Sequence, residues 1–188
     1  MPDMIRDGTG DGYLAKIDYD NRLWTVGSHF DNSFFINLFK KESYTASFGN
    51  ITAATGGNCI GYIKNTSDTK ELIIVRIRHR CTTTNTTMTI KLKDAGTPGG
   101  TTDIIPVNRN TNSNNTAIGN FYKGTNITGL SGGSTVASIY SVASQPWEEW
   151  CPCSNLIIGA NQVCTFYVDN NTAANWIGVG FYYREIEQ

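Results

Sequence analysis

Several groups of side chains in this chain have the types and spacing for chemistry. Asp7-Gly8-Thr9-Gly10-Asp11-Gly12 sets oxygen-bearing side chains at the first, third and fifth places of a loop, with glycine at the sixth. That is how a calcium loop of EF-hand type begins. The twelfth place holds Asp18 where such a loop carries a bidentate Glu, and no helical pattern flanks it, so a glycine-rich extended turn without metal is expected. Cys151 and Cys153, with Cys164 beyond them, offer three thiolates, while tetrahedral zinc takes four ligands and the chain has only His29 and His79 to add. Small buried thiols are expected there, with neither metal nor cofactor. Glu148 and Glu149 are sequence neighbours, so on a strand they face opposite ways and make no glycosidase pair by themselves. His79 falls within an apolar run and is expected to be a satisfied core or interface histidine rather than a base. No Ser/His/Asp order, phosphate loop or HExxH run occurs, and no catalytic residue is assigned. Tyr122, Trp147 and Trp150, with Trp176, could line a sugar-binding surface, but aromatic side chains of this kind also anchor protein interfaces, and that is the role expected here.

The elements that must position these groups are strands. Glu71–Arg80 (ELIIVRIRHR) carries the strongest strand signal. Strict alternation sets Ile73, Val75, Ile77 and His79 on one face, and Leu72, Ile74, Arg76, Arg78 and Arg80 on the other. Further strands are expected at Ser43–Phe48, Cys59–Lys64, Met88–Leu92, Ile104–Val107, Thr135–Val142, Leu156–Ile158, Val163–Val168 and Trp176–Arg184. Asp94–Thr102 reads as a Gly/Pro turn, Thr82–Thr87 as a polar loop and Pro146–Pro152 as a tryptophan-bearing corner. Asn108–Gly133 has no clear strand and reads as a long Asn-rich loop packed on a partner or carrying function. About eight strands from Tyr44 onward, at this spacing, predict an all-β fold: a β-sandwich or jelly-roll-like domain over residues 42–188. Residues 1–41 are expected to form an extended N-terminal arm. Phe30, Phe34, Phe35 and Phe39 make its second half too aromatic for a solvated linker.

Composition bounds the function. The chain has 188 residues, a formal net charge of −1, and only 16% charged residues against an ordinary share of about 25%. There is no bulk basic charge to hold nucleic acid, and the Arg76, Arg78, Arg80 stripe suits carboxylates or a partner surface better than phosphate. No apolar run reaches the roughly 20 residues of a membrane helix, and no signal-peptide pattern opens the chain, so a soluble protein made in the cytoplasm is expected. Five cysteines without a secretory signal are expected to be free thiols, and the Asn-X-Ser/Thr triplets are chance matches in an Asn- and Thr-rich chain.

The run Arg6-Asp7-Gly8-Thr9-Gly10-Asp11-Gly12-Tyr13-Leu14-Ala15-Lys16-Ile17-Asp18, with Asn21-Arg22-Leu23 after it, resembles a segment of tailed-bacteriophage virion structural proteins, which open with a DGTG.GY.AKVD..NRL pattern. Ile60–Asn65 and Leu72–Ile74 resemble the YIKN…DLII segment of the same proteins. The resemblance covers about the first 80 positions; it is specific for particle proteins and less so for which part of the particle. It implies a non-enzymatic assembly role in the virion, most simply a capsid decoration or cement protein. The partners implied are other virion proteins and sister copies, with a trimer or other symmetric ring as the oligomer. The arm would supply the contacts, through Arg6, Asp7, Tyr13, Leu14, Leu23, Trp24, Phe30, Phe34, Phe35 and Phe39, by adding strands to a neighbour. The alternative is a tail, neck or fibre component that touches other virion proteins or host-surface glycan through Tyr122, Trp147 and Trp150.

Overall fold

β-Branched and aromatic residues at alternating positions, broken by Gly, Asn and Pro, leave strands as the only regular structure this sequence supports well. The computed structural model describes residues 5–6, 14–15, 40–151 and 156–186, and among these it contains no helix. β1 (Ile5–Arg6) and β2 (Leu14–Ala15) pair antiparallel, with Arg6 opposite Leu14. Then follow β3 (Ser43–Thr52), β4 (Asn58–Asn65), β5 (Lys70–Cys81), β6 (Thr86–Leu92), β7 (Ala95–Gly99), β8 (Thr102–Asp103) and β9 (Val107–Asn108). β10 (Gly119–Ser131), β11 (Ser134–Ser141), β12 (Glu148–Trp150), β13 (Leu156–Ile158), β14 (Val163–Val168) and β15 (Ala174–Glu185) complete the order.

From β3 onward the strands make two antiparallel sheets packed face to face, a β-sandwich. One sheet runs β11-β6-β14-β4-β10-β7, with β8 also on β10; the other runs β12-β5-β15-β3-β9, with β13 also on β5. The inner faces are filled by alternating residues: Ile177, Val179, Phe181 and Tyr183 from β15, Cys164, Phe166 and Val168 from β14, and Met88 and Ile90 from β6. Aromatic rings tie the layers together. Phe181 stacks on Tyr44 and on Phe121 at 5.5 and 5.2 Å between centroids, and Phe48 meets Phe166 edge-on at 5.5 Å. Tyr44 and Tyr183 each turn a hydroxyl outward to donate to a backbone carbonyl, of Thr116 at 3.1 Å and Ile118 at 2.6 Å. The stretch leading into β10 is thereby fastened to the core.

The alternation expected in β5 breaks at Val75. Gly180 of β15 lies opposite Arg76, but the next residue, Phe181, lies opposite Ile74, so Val75 is an extra residue in the ladder. The inward residues are therefore Leu72 and Ile74 before the bulge and Ile77, His79 and Cys81 after it, not the single face of Ile73, Val75, Ile77 and His79. Strand pairing also overturns three loop expectations. The Asn-rich stretch holds β10, at 13 residues the longest strand, because β4, β7 and β8 all pair with it. The Gly/Pro turn at 94–102 holds β7 and the start of β8, and the Trp147 corner holds β12, paired with β5. Residues 104–106 are not a strand; pairing resumes at Val107, giving thirteen strands from Ser43 among the described residues rather than about eight.

Candidate functional site

The entry to β3 is a built feature. Lys41 takes a left-handed conformation (φ 56), which turns the chain sharply as it enters β3. Its carbonyl accepts from Asn108 Nδ2 at 2.8 Å and Ser113 Oγ at 3.1 Å, while Asn115 Nδ2 reaches the Lys40 carbonyl at 3.2 Å. Asn108 Nδ2 also donates to the Asn115 carbonyl at 3.1 Å, so the 108–115 turn closes on itself as it grips Lys41. Part of the Asn-rich stretch thus holds Lys40 and Lys41 at the entry to β3. Of the ten predicted docking residues, Arg6 and Leu14 are register partners in β1 and β2. Asp7, Tyr13, Leu23, Trp24, Phe30, Phe34, Phe35 and Phe39 lie outside the described residues, as does the span between Asp7 and Asp11 that would begin a calcium loop.

The arginine stripe lies on the outer face of the β5 sheet, as expected. Register sets Val107, Thr45, Gly180 and Arg76 in one row across four strands, and Ser47, Gly178, Arg78 and Glu149 in the next. Arg78 pairs with Glu149, and this is what chiefly holds the Glu149 carboxyl below its ordinary pKa. Arg80 lies over the Trp176 ring at 5.6 Å. Among the described residues Arg76 has no hydrogen-bond or ion-pair partner. Trp147, 43% exposed, lines a groove of about 230 Å³ with Arg76, Arg78, Thr45, Ser47 and the two glycines. Trp150, opposite Ile77, packs against the core instead.

Tyr122 lies on the far side of the molecule. It faces outward from β10 and stacks on Tyr62 of β4, with centroids 5.6 Å apart and planes 18° apart. Around it Lys64, Thr97, Pro98, Thr101, Asp103 and Asn120 line a groove of about 300 Å³. The three aromatic residues proposed from sequence as one ligand surface therefore occupy two opposite outer faces and the core. Lys64, Asp103 and Asn120 carried no signal in the sequence, because only strand register brings them to Tyr122.

The chemistry-bearing residues between the sheets are closed off. His79 has no exposed surface; Ser141 Oγ lies 2.7 Å from its Nδ1 and Asn175 Oδ1 3.0 Å from its Nε2. Asn175 Nδ2 donates to the carbonyls of Ala173 and Ile51, so its oxygen faces the ring and accepts from Nε2–H, leaving Nδ1 to accept from the serine. Burial pushes the imidazole pKa down. A Ser-His-Asn set so enclosed can touch no substrate. It joins the end of β11 in one sheet to β5 and β15 in the other, and is the satisfied core histidine expected. Asp94, also buried, accepts from Thr165 Oγ1, from Tyr167 OH at 2.9 Å and from the Gly133 amide at 2.7 Å, which ties the turn before β11 to β14. Cys59, Cys81 and Cys164 are buried free thiols and Cys151 an exposed one, while Cys153 lies outside the described residues. Burial pushes Cys59 up to about 12 and raises Cys164 as well. Among the described residues no three of His, Cys, Asp and Glu gather as a metal site would require. Comparison with protein-family models, with curated proteins and with solved structures found no match.

Proposed function

We propose that this chain is a non-enzymatic structural protein of a tailed-bacteriophage particle, most specifically a capsid decoration or cement protein that attaches through residues 1–41. The observation that carries this reading is the division of the chain at Lys41. Beyond that clamped corner, the two sheets fill each other's inner faces. Before it lies the Arg6–Leu23 run that resembles particle proteins, and its described backbone is a small β-hairpin rather than part of either sheet. A domain that completes its own core and carries a separate segment of this kind suits repeated attachment to a lattice, with strand addition as the means.

The test is co-sedimentation of the full chain with particles that lack it. Leu14→Asp and Leu23→Asp, made together, should abolish attachment while the circular dichroism of the sandwich is unchanged. Undiminished attachment of that variant would remove the arm from the binding surface and the proposal with it.

A further inference from the structure

We propose that the groove bounded by β4, β10, β8 and β7 binds a neutral saccharide, with Tyr122 as its platform and Asp103, Asn120 and Lys64 as its polar contacts. The site stands on different residues from the arm and is independent of the particle reading.

Register assembles it. Tyr122 lies directly opposite Tyr62 on one side and opposite Asp103 on the other, while Asn120 lies opposite Lys64. Directly opposed residues of an antiparallel pair emerge on the same face. All five therefore emerge on the outer face, while Phe121 and Ile63 between them point into the core. Two rows result: tyrosine, tyrosine and carboxylate in one, ammonium and amide in the other.

The wall is held by close backbone approach. Gly96 has φ 116, and a Cβ there would lie 1.9 Å from the Gly129 carbonyl oxygen. Gly100 has φ 71, and a Cβ there would lie 2.9 Å from the Asn126 carbonyl oxygen. These glycines let β7 and the turn after it lie against β10, so Thr97, Pro98 and Thr101 stand beside Tyr122 as a fixed rim. The platform is fixed too: Tyr62 beneath it is 2% exposed and stacked on it, which keeps the Tyr122 ring in one orientation before any ligand arrives. A volume of about 300 Å³ sits at the small end of ligand pockets, which run from about 300 to 1,000 Å³, and suits one or two sugar rings.

The polar groups choose the ligand. Among the described residues, the side chains of Lys64, Asp103 and Asn120 make no hydrogen bond or ion pair, although all three line the same groove. The carboxylate only accepts, the ammonium only donates, and the amide does both. A sugar hydroxyl also does both, so adjacent hydroxyls can satisfy all three at once while the C–H face of the ring lies on the tyrosine. Lys64 and Asp103 cancel in charge, so the groove favours an uncharged ligand. The arginine face on the opposite sheet would instead favour an anion.

The experiment is an amide-detected NMR titration of the full chain with methyl glycosides of glucose, galactose, mannose and N-acetylglucosamine. At least one glycoside should give saturable shifts at Lys64, Asp103, Asn120 and Tyr122, with a Kd of roughly millimolar order, as befits a single ring with few contacts. Asp103→Asn and Tyr122→Ala should each weaken that binding about tenfold or more, the first because hydrogen bonds to a charged group are the stronger ones and the second because it removes the platform. Trp147→Ala should leave it unchanged. Asp103 is exposed, so its variant keeps the fold and tests the site even where Tyr122→Ala does not. No saturable shift with any of the four, shifts centred on Trp147 and Arg76, or undiminished binding by Asp103→Asn would each overturn the assignment.

Discussion

Replacing His79 with leucine tests whether the enclosed Ser-His-Asn set is a structural tie. Leucine fills most of the ring's space, so the loss is chiefly one of partners. Asn175 Oδ1 is left without the Nε2–H that it accepted at 3.0 Å, and a buried unsatisfied acceptor costs about 1–3 kcal/mol. Ser141 loses its acceptor at 2.7 Å but keeps a poorer one, the carbonyl of residue 79 at 3.4 Å, so its share is under about 1 kcal/mol. The gain from burying leucine in place of imidazole offsets part of this. The net loss is about 2 kcal/mol, or about 4–8 °C in Tm for a chain of this length. The assay is a double-mutant cycle in urea with Ser141→Ala. In the wild-type background, removing the hydroxyl strands the lone pair of Nδ1 and costs about 1 kcal/mol or more. In the leucine background it removes a group already poorly served and costs almost nothing. The coupling should therefore be about 1 kcal/mol. Additivity within about 0.5 kcal/mol, or a His79→Leu loss below that figure, would refute the reasoning.

The same histidine makes stability depend on pH. Its pKa is lowered in the fold, so the unfolded chain, titrating near 6.5, binds its proton first as pH falls. Its contribution is complete above about pH 6.5 and is lost as pH drops from there toward the folded value. Urea midpoints at pH 7.5 and 5.0 should fall more in the wild type than in His79→Leu, and equal falls would contradict the assignment. Gly61→Ala should destabilise by about 1–3 kcal/mol through overpacking. Its Cβ would stand 2.9 Å from the Phe166 ring and 3.1 Å from the Phe48 ring, where the two meet edge-on. A thermal melt within 1 °C of the wild type would show that the rings move aside freely.

What could be read from the sequence depended on whether each strand has two different faces. β15 and β14 alternate cleanly because one side meets the other sheet, and their inward residues appear as predicted. β10 does not alternate in that way. Phe121 faces the core while Ile127 belongs to a small outer cluster, and the register shifts between Lys123 and Ile127. Gly, Asn and Thr dominate it, and only the backbone of its neighbours makes it a strand, which is tertiary information. His79 was legible because a histidine at an apolar position needs partners. Asp103, Asn120 and Lys64 were not, since they are ordinary polar residues far apart in the chain. Tyr122, Trp147 and Trp150 looked alike as aromatic residues, but the fold separates them.

The bulge at Val75 bears on how such a chain tolerates change over generations. The ladder on either side of it has the parity of a strand that lacks this residue: Leu72 and Ile74 inward, then Ile77, His79 and Cys81 inward, with the arginines outward throughout. The edge partner also changes there, from β13 along Leu72–Ile74 to β12 along Ile77–His79. A deletion of codon 75 would close the ladder without turning either half over, whereas loss of codon 79, in the regular ladder beyond the bulge, would bring an arginine to an inward place. Loss of one residue at the bulge can thus be absorbed, where the same loss within Ile77–Cys81 turns the faces of the strand over.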